Sequence, residues 1–267
     1  MTPIFLKLGG SLITDKTGVE AVRADVLTRL AEEIQQARQA NPDLRLVLGH
    51  GSGSFGHVAG AKYGTRQGVR TAQQWRGFAE VSAAALRLNR LVTEALLAAG
   101  VPAVSLQPCA SVVCEDGRIT AIAAHPIQAA LTSGLLPVIH GDVAFDTVRG
   151  GTIVSTEEVM MALVETLRPS WLLLAGETEG VLDLAGQVIP RIMPETLPQV
   201  EAALGGSRGT DVTGGMAAKV RDMLALVTEQ PAMRIRIFSG LTPDLLPRVL
   251  AFPDTAVGTE ICVRRDA

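Results

Sequence analysis

The sequence predicts an α/β fold, a three-layer α/β/α sandwich around a mainly parallel central sheet. Three observations predict it. Short apolar runs alternate with helical patterns along the chain. Hydrophobic residues make up 47% of the chain but aromatics only 3%, so the core is built from Ala, Leu, Val and Ile, as where helices pack on a parallel sheet. At 267 residues, the chain can bury a large core in one unit or in two tightly joined lobes.

In chain order, Ile4–Leu8 reads as a buried strand ending in Gly9-Gly10. Residues 23–40 carry Val26, Leu27, Leu30 and Ile34 at helical spacing, and Asn41-Pro42 stops that helix. Residues 45–48 read as the second strand, 77–99 as a long Ala/Leu helix closed by Gly100, and 103–106 as a third strand. Residues 112–121 read as a hairpin turning at Glu115-Asp116-Gly117. A short helix over 126–132 and a buried strand over 136–139 follow, the strand running into His140-Gly141-Asp142. A second hairpin is expected over 143–154, turning at Arg149-Gly150-Gly151. Residues 157–167 read as a helix with the acidic first turn that the dipole favours. Residues 171–175, 234–238 and 257–263 read as strands, and 216–227 as a helix after a glycine-rich stretch. The expected organisation is a single unit over 1–267, with an N-terminal lobe to about residue 167 and a C-terminal lobe from about 168.

A net charge of −3 argues against a general attraction to nucleic acid. The three cysteines, Cys109, Cys114 and Cys262, have no metal-site spacing, and their sparse, odd count fits a reducing compartment. No apolar stretch reaches membrane-spanning length, and MTPIFLKLGG lacks the apolar segment of a signal peptide. The expected setting is cytoplasmic, away from membranes.

Residues 51–56 satisfy the G-x-G-x-x-G pattern of dinucleotide-binding turns. The context speaks against that reading. Gly60, Gly64 and Gly68 follow where a clean helix should, and no acidic residue ends a second strand about twenty residues on. No G-x-x-x-x-G-K-[ST] run occurs either. The other glycine clusters are more informative. Lys7-Leu8-Gly9-Gly10-Ser11 leaves the first strand, and Asp211-Val212-Thr213-Gly214-Gly215 precedes a helix carrying Lys219. Small residues let backbone amides approach phosphate oxygens, helix N-termini add a favourable dipole, and Lys7, Lys16 and Lys219 supply point charges. Three such turns fit a site holding more than one phosphate group.

The motifs KLGGSLITDK, HGSGSFGH, HGDVAFD and DVTGGMAAK resemble the amino acid kinase superfamily, and isopentenyl phosphate kinases in particular, over nearly the whole chain. The resemblance implies transfer of the γ-phosphate of ATP to isopentenyl phosphate in isoprenoid biosynthesis; Mg2+ is expected from the chemistry of ATP phosphoryl transfer. It places Lys7, Leu8, Gly9, Gly10, Ser11, Gly53, Gly176, Gly215 and Lys219 at ATP, and Gly51, Ser52, Gly56, His57 and Thr156 at the acceptor phosphate. Lys16 would neutralise the phosphoryl group in flight, His57 would grip the acceptor, and Asp142 would orient Lys7 or Lys16. Phe78, Val81, Phe145 and Ile153 would enclose the hydrocarbon tail. A homodimer is implied, and no carboxylate cluster marks a dedicated metal site.

The chemistry asks for the same residue types. Phosphoryl transfer needs positioning and charge neutralisation. A monophosphate acceptor is already mostly ionised, its second pKa being about 6, so a donor serves it better than a base. Where the family reads Ser-Gly-Asp-Asp, this chain has Ser155-Thr156-Glu157-Glu158. A capping box is retained, but two consequences stay open. The added side chain narrows the acceptor end, or Glu157 takes over as lysine organiser. Two other readings remain: a sister kinase for another small phosphate or phosphonate, similar to fosfomycin kinase, and an ATP-binding sensor without catalysis.

Overall fold

A computed structural model of the chain describes residues 2–204 and 215–263, with side chains for all of these but 57–59, 61, 62, 203 and 204. The first half runs β1 (Ile4–Leu8), α1 (Gly10–Ile13), α2 (Ala24–Ala40), β2 (Leu46–His50), α3 (Gly53–Tyr63), α4 (Ala72–Ala98), β3 (Ala103–Ser105), β4 (Val112–Glu115) and β5 (Arg118–Ile122). It continues through α5 (His125–Thr132), β6 (Leu136–His140), β7 (Asp142–Asp146), β8 (Gly150–Val154) and α6 (Thr156–Leu167). The second half holds β9 (Trp171–Gly176), β10 (Arg191–Ile192), α7 (Leu197–Leu204), α8 (Gly215–Glu229), β11 (Arg234–Ser239), α9 (Leu245–Ala251) and β12 (Thr259–Ile261).

Among the described residues the main sheet has the order β10-β12-β11-β9-β1-β2-β6-β3, parallel throughout except for the β11–β12 pair. Strand alternation sends the two faces of each central strand into different cores. Ile4, Leu6, Leu8, Leu46 and Leu48 pack with α2, α4 and α9, while Phe5, Val47, Leu172 and Leu174 pack with α5, α6 and α8. This is the three-layer sandwich the alternating pattern predicts. The two expected hairpins form a small second sheet, β5-β4-β7-β8, closed by a parallel pairing of β4 with β7.

Three local differences from the sequence reading have clear causes. The glycine loop after β2 does open a helix, α3, despite Gly56 and Gly60. Those glycines answer to close approach: a Cβ at Gly60 would lie 3.2 Å from Ile153 Cδ1, and one at Gly56 would lie 2.7 Å from Ser52 Cβ. α4 starts at Ala72 rather than near Gly77, because Thr71 and Gln74 form a reciprocal capping box. α9 is an unexpected helix. Its Pro247 sits in the first turn, where a missing N–H costs little. None of the described helices is long and apolar enough to cross a membrane.

Candidate active site

The C-terminal ends of β1, β2 and β9 stand side by side, and the glycine turns leave from them. Alternation turns Lys7 away from Leu6 and Leu8 and toward the α6 and α8 layer. There Lys7, only 7% exposed, places Nζ 2.8 Å from Glu157 Oε1. Lys219, one turn into α8, places Nζ 3.4 Å from the same oxygen. Glu157 is the second residue of α6, whose start is set by the Ser155–Glu158 capping box. Burial alone would raise its carboxyl, but Lys7 and then Lys219 outweigh that and pull it down to about 2.

Two glycine turns touch backbone to backbone. A Cβ at Gly10 would lie 2.4 Å from the Gly53 nitrogen, and one at Gly51 would lie 2.7 Å from the Gly10 nitrogen. Gly53 also takes the left-handed φ of +49°, and its Cβ would fall 2.0 Å from Thr14 Oγ1. Thr14 and Ser54, neither anticipated from the sequence, stitch this junction. Thr14 Oγ1 donates to the Gly10 carbonyl at 2.7 Å and accepts from the Ser54 amide at 3.0 Å. Ser54 Oγ accepts from the Ala21 amide at 3.2 Å. The short loop between Thr14 and Ala21 presents Lys16, which is exposed, and Ser54 in the first turn of α3 ties down the far end of that loop. The signal for this pair was the spacing of Thr14 two residues before Lys16, which reads as ordinary loop polarity without the fold.

Ser11 lies half-buried in α1, and the buried Leu8 offers its backbone at the strand end. Gly176 closes β9; a Cβ there would meet nothing within 4 Å, and its carbonyl accepts from Gly240 N at 2.8 Å. Gly215 opens α8. Residues 211–214 of the third glycine stretch, and the side chain of His57 in α3, lie outside the described residues.

Asp142 is not where a lysine partner needs it. Its buried carboxyl accepts from the Val143 amide at 2.8 Å, the Cys109 amide at 3.3 Å and Gln107 Nε2 at 3.4 Å. Burial raises it above the usual carboxylate range against these donors. β7 turns this carboxyl toward Gln107 and Cys109, and the carboxylate that meets Lys7 and Lys219 is Glu157. Thr156 is 2% exposed, and its hydroxyl donates to the His50 carbonyl at 2.6 Å, tying α6 to the exit of β2. Arg66 pairs with Glu158 at 2.7 Å.

Of the four expected tail residues, Phe78 and Val81 are buried together with Val69 and Val143, and Ile153 packs against them. Phe145 differs: it is 53% exposed, with its ring 5.2 Å from Phe78 and 6.1 Å from Trp75 between centroids. Val143 and Phe145 share one face of β7, Val143 in the interior and Phe145 nearer the strand's end, at the rim. Among the described residues no group of three or more His, Cys, Asp or Glu could hold a metal.

The buried charges set an acid limit on stability. Glu157, ordinarily at 4.5, contributes stability above that value that is lost as pH falls toward about 2. Burial, then the neighbouring His140, holds His50 at about 4, while the unfolded chain protonates it from 6.5 downward. Stability present above pH 6.5 is therefore lost toward pH 4, on the order of 3 kcal/mol for this group. Urea midpoints are expected to fall between pH 7 and pH 4 as the His50 contribution is lost, and further below pH 4.5 as that of Glu157 is; a flat profile between pH 7 and pH 4 would contradict the His50 environment, and one below pH 4.5 that of Glu157.

Residues 2–239 match the amino acid kinase family. The chain is 38% identical to the isopentenyl phosphate kinase of Haloferax volcanii over 228 residues, covering 85% of this chain and 89% of that one. It is 35% identical to the isopentenyl phosphate kinase of Methanocaldococcus jannaschii, covering 82% and 85%. A solved isopentenyl phosphate kinase superposes with a TM-score of 0.80 at 29% identity, over 97% of this chain and 99% of that one. Together with the sandwich and the paired glycine turns, these matches establish that the chain belongs to the amino acid kinase family and groups within it with the isopentenyl phosphate kinases.

Proposed function

We propose that this protein transfers the γ-phosphate of ATP to isopentenyl phosphate, giving ADP and isopentenyl diphosphate. An acceptor phosphate oxygen attacks the γ-phosphorus, and the bond to the β–γ bridging oxygen breaks, releasing ADP. The observation that carries the reading is the meeting of Lys7 and Lys219, far apart in sequence, on one oxygen of Glu157 beside two interlocked glycine turns. Those lysines hold the triphosphate, organised by Glu157. Gly10 and Ser11 offer it amides beside Gly9, whose own N–H donates to the Ala175 carbonyl at 2.8 Å, with Gly53, Gly215 and the open end of β9 at Gly176 around the nucleotide. Lys16 follows the phosphoryl group, while the Gly51–Gly56 turn, His57 and the start of α6 at Thr156 take the acceptor phosphate. Mg2+ enters with ATP as part of the substrate and offsets phosphate charge.

Phe78, Val81 and Ile153, with Phe145 at the rim, line the tail side. A five-carbon tail contributes at most roughly 4 kcal/mol there, and one methylene discriminates by about 1–3 kcal/mol. Related short isoprenoid phosphates are therefore accepted as well. In this reading the lobe over about residues 1–167 binds the acceptor and lends its glycine turns to the ATP phosphates, and the lobe over about 168–267 binds the nucleotide, in a cytoplasmic homodimer.

A coupled ADP-release assay across isoprenoid monophosphates and small phosphonates tests the assignment. Isopentenyl phosphate is expected to give the highest kcat/KM. Higher values for a phosphonate would move the chain to the sister-kinase reading. Lys16→Met is expected to lower kcat by about 10²–10³-fold with ATP affinity within about threefold, and His57→Ala to raise the acceptor KM. An ATP-binding sensor would instead bind ATP tightly and show no turnover to lose.

A further inference from the structure

Beneath the glycine turns lies a pair of buried histidines that the roles above leave unused. β2 and β6 run side by side with His50 opposite His140, and each ends in the dipeptide His-Gly. Both residues are 1% exposed, and their rings stack with centroids 5.6 Å apart. Each ring reaches the residue that follows it: His50 Nδ1 lies 3.2 Å from the Gly51 carbonyl oxygen, and His140 Nδ1 lies 3.0 Å from that of Gly141. A carbonyl oxygen only accepts, so each Nδ1 carries the hydrogen. Burial holds both imidazoles below their ordinary 6.5, so at neutral pH they are uncharged and each Nε2 bears a lone pair.

That tautomer decides the orientation of Asn89 on α4. Asn89 Oδ1 lies 3.1 Å from His50 Nε2 and Nδ2 lies 2.5 Å from Ser105 Oγ, two positions that a flip of the amide exchanges. A bare Nε2 needs a donor, and 2.5 Å is short for N–H···O but within range for O–H···O. Both are satisfied when Asn89 Nδ2 faces His50 and donates, while its Oδ1 accepts from the Ser105 hydroxyl.

The consequence appears at the next peptide. A trans peptide is planar, with its C=O and N–H opposed. Because the Gly51 carbonyl is held inward on the His50 ring, the Ser52 N–H points outward, and among the described residues no acceptor takes it. Thr156 pins the same residue from the backbone side by donating to the His50 carbonyl at 2.6 Å.

We propose that His50 is a positioning residue: as the Nδ1–H tautomer, held by Asn89 and Ser105 and stacked on His140, it locks the Gly51–Ser52 peptide so that the Ser52 amide donates to the acceptor phosphate. The role rests on the kinase reading above, but its test is separable. In 15N-labelled protein at pH 7, His50 shows a protonated Nδ1 and a bare Nε2. Titration with isopentenyl phosphate, or with inorganic phosphate, moves the Ser52 amide proton downfield in the wild type. His50→Leu loses that shift. His50→Asn, whose Nδ2 stands near the place of Nδ1, keeps it.

In kinetics, His50→Leu raises the acceptor KM about tenfold or more and leaves the ATP KM within about twofold, and His50→Asn recovers most of the loss. Should His50→Leu fold poorly, Asn89→Asp serves instead. Its carboxylate cannot donate, so it drives His50 to carry a hydrogen on Nε2, and the acceptor KM rises in the same way. An Nε2–H tautomer in the wild type, an unmoved Ser52 amide, or an equal rise in both KM values would overturn the proposal. Absence of wild-type turnover would sink the kinase reading alone, because the tautomer and the phosphate titration still judge the positioning role.

Discussion

Glu157→Gln lowers kcat for isopentenyl phosphate by about 10²–10³-fold and raises the ATP KM, while Glu157→Asp retains much of the activity. Glutamine keeps the volume and removes the charge. Lys7, at 7% exposure, then loses the carboxylate that holds its ammonium in place, and Lys219 loses the same anchor. Breaking a buried pair from one side costs about 3–5 kcal/mol; at 20% exposure Glu157 belongs at or below the low end of that range. The variant is therefore expected to melt several degrees lower. ATP phosphates bring their own negative charge to the two lysines, so saturating ATP restores part of the lost Tm, and by a larger increment than in the wild type. Steady-state kinetics and thermal melts with and without ATP check this. Wild-type kcat in the glutamine variant would show that the lysines need no organiser.

Gly10→Ala separates the two glycine turns and removes activity with either substrate. The added Cβ would lie 2.4 Å from the Gly53 nitrogen and 2.7 Å from Gly53 Cα. Both are backbone atoms, so no rotamer change relieves the contact and one turn must move. A displacement of about 1 Å between donor and acceptor seats costs on the order of 10²-fold in rate. Gly176→Ala is the matched control for bulk alone, since its Cβ meets nothing within 4 Å; it is expected to fold with wild-type stability. Circular dichroism and kcat/KM for both variants decide the matter. A Gly10→Ala enzyme with normal kcat/KM would mean that the two turns do not need this separation.

Much of the fold was legible because its signals are local. Apolar runs of strand length, Ala/Leu periodicity and glycine or proline stops depend only on neighbouring residues, and they placed the strands and long helices of the sandwich. α9 was missed because a proline inside a short apolar run reads as a break unless its first-turn position is known. α3 was misread because Gly60, with Gly64 and Gly68 beyond it, looks like a helix breaker, when it makes room for the Ile153 side chain. The turn motifs and the three lysines of the candidate site were equally visible in the chain.

The inventory can be read along the chain: alternating strands and helices, glycine turns at strand ends, and cations spaced to serve more than one phosphate. Only the tertiary structure decided the pairings. Glu157 meets Lys7 and Lys219, because strand alternation aims Lys7 at the face where α6 and α8 begin, while the Asp142 carboxyl is taken up by Gln107, Cys109 and Val143. Phe145 falls at the rim while Phe78 is buried. His50 and His140 stack because β2 and β6, ninety residues apart, lie in register. Periodicity along one segment says which side of that segment is apolar; which charge or ring stands opposite is set by chain segments distant in sequence, and only packing brings them together.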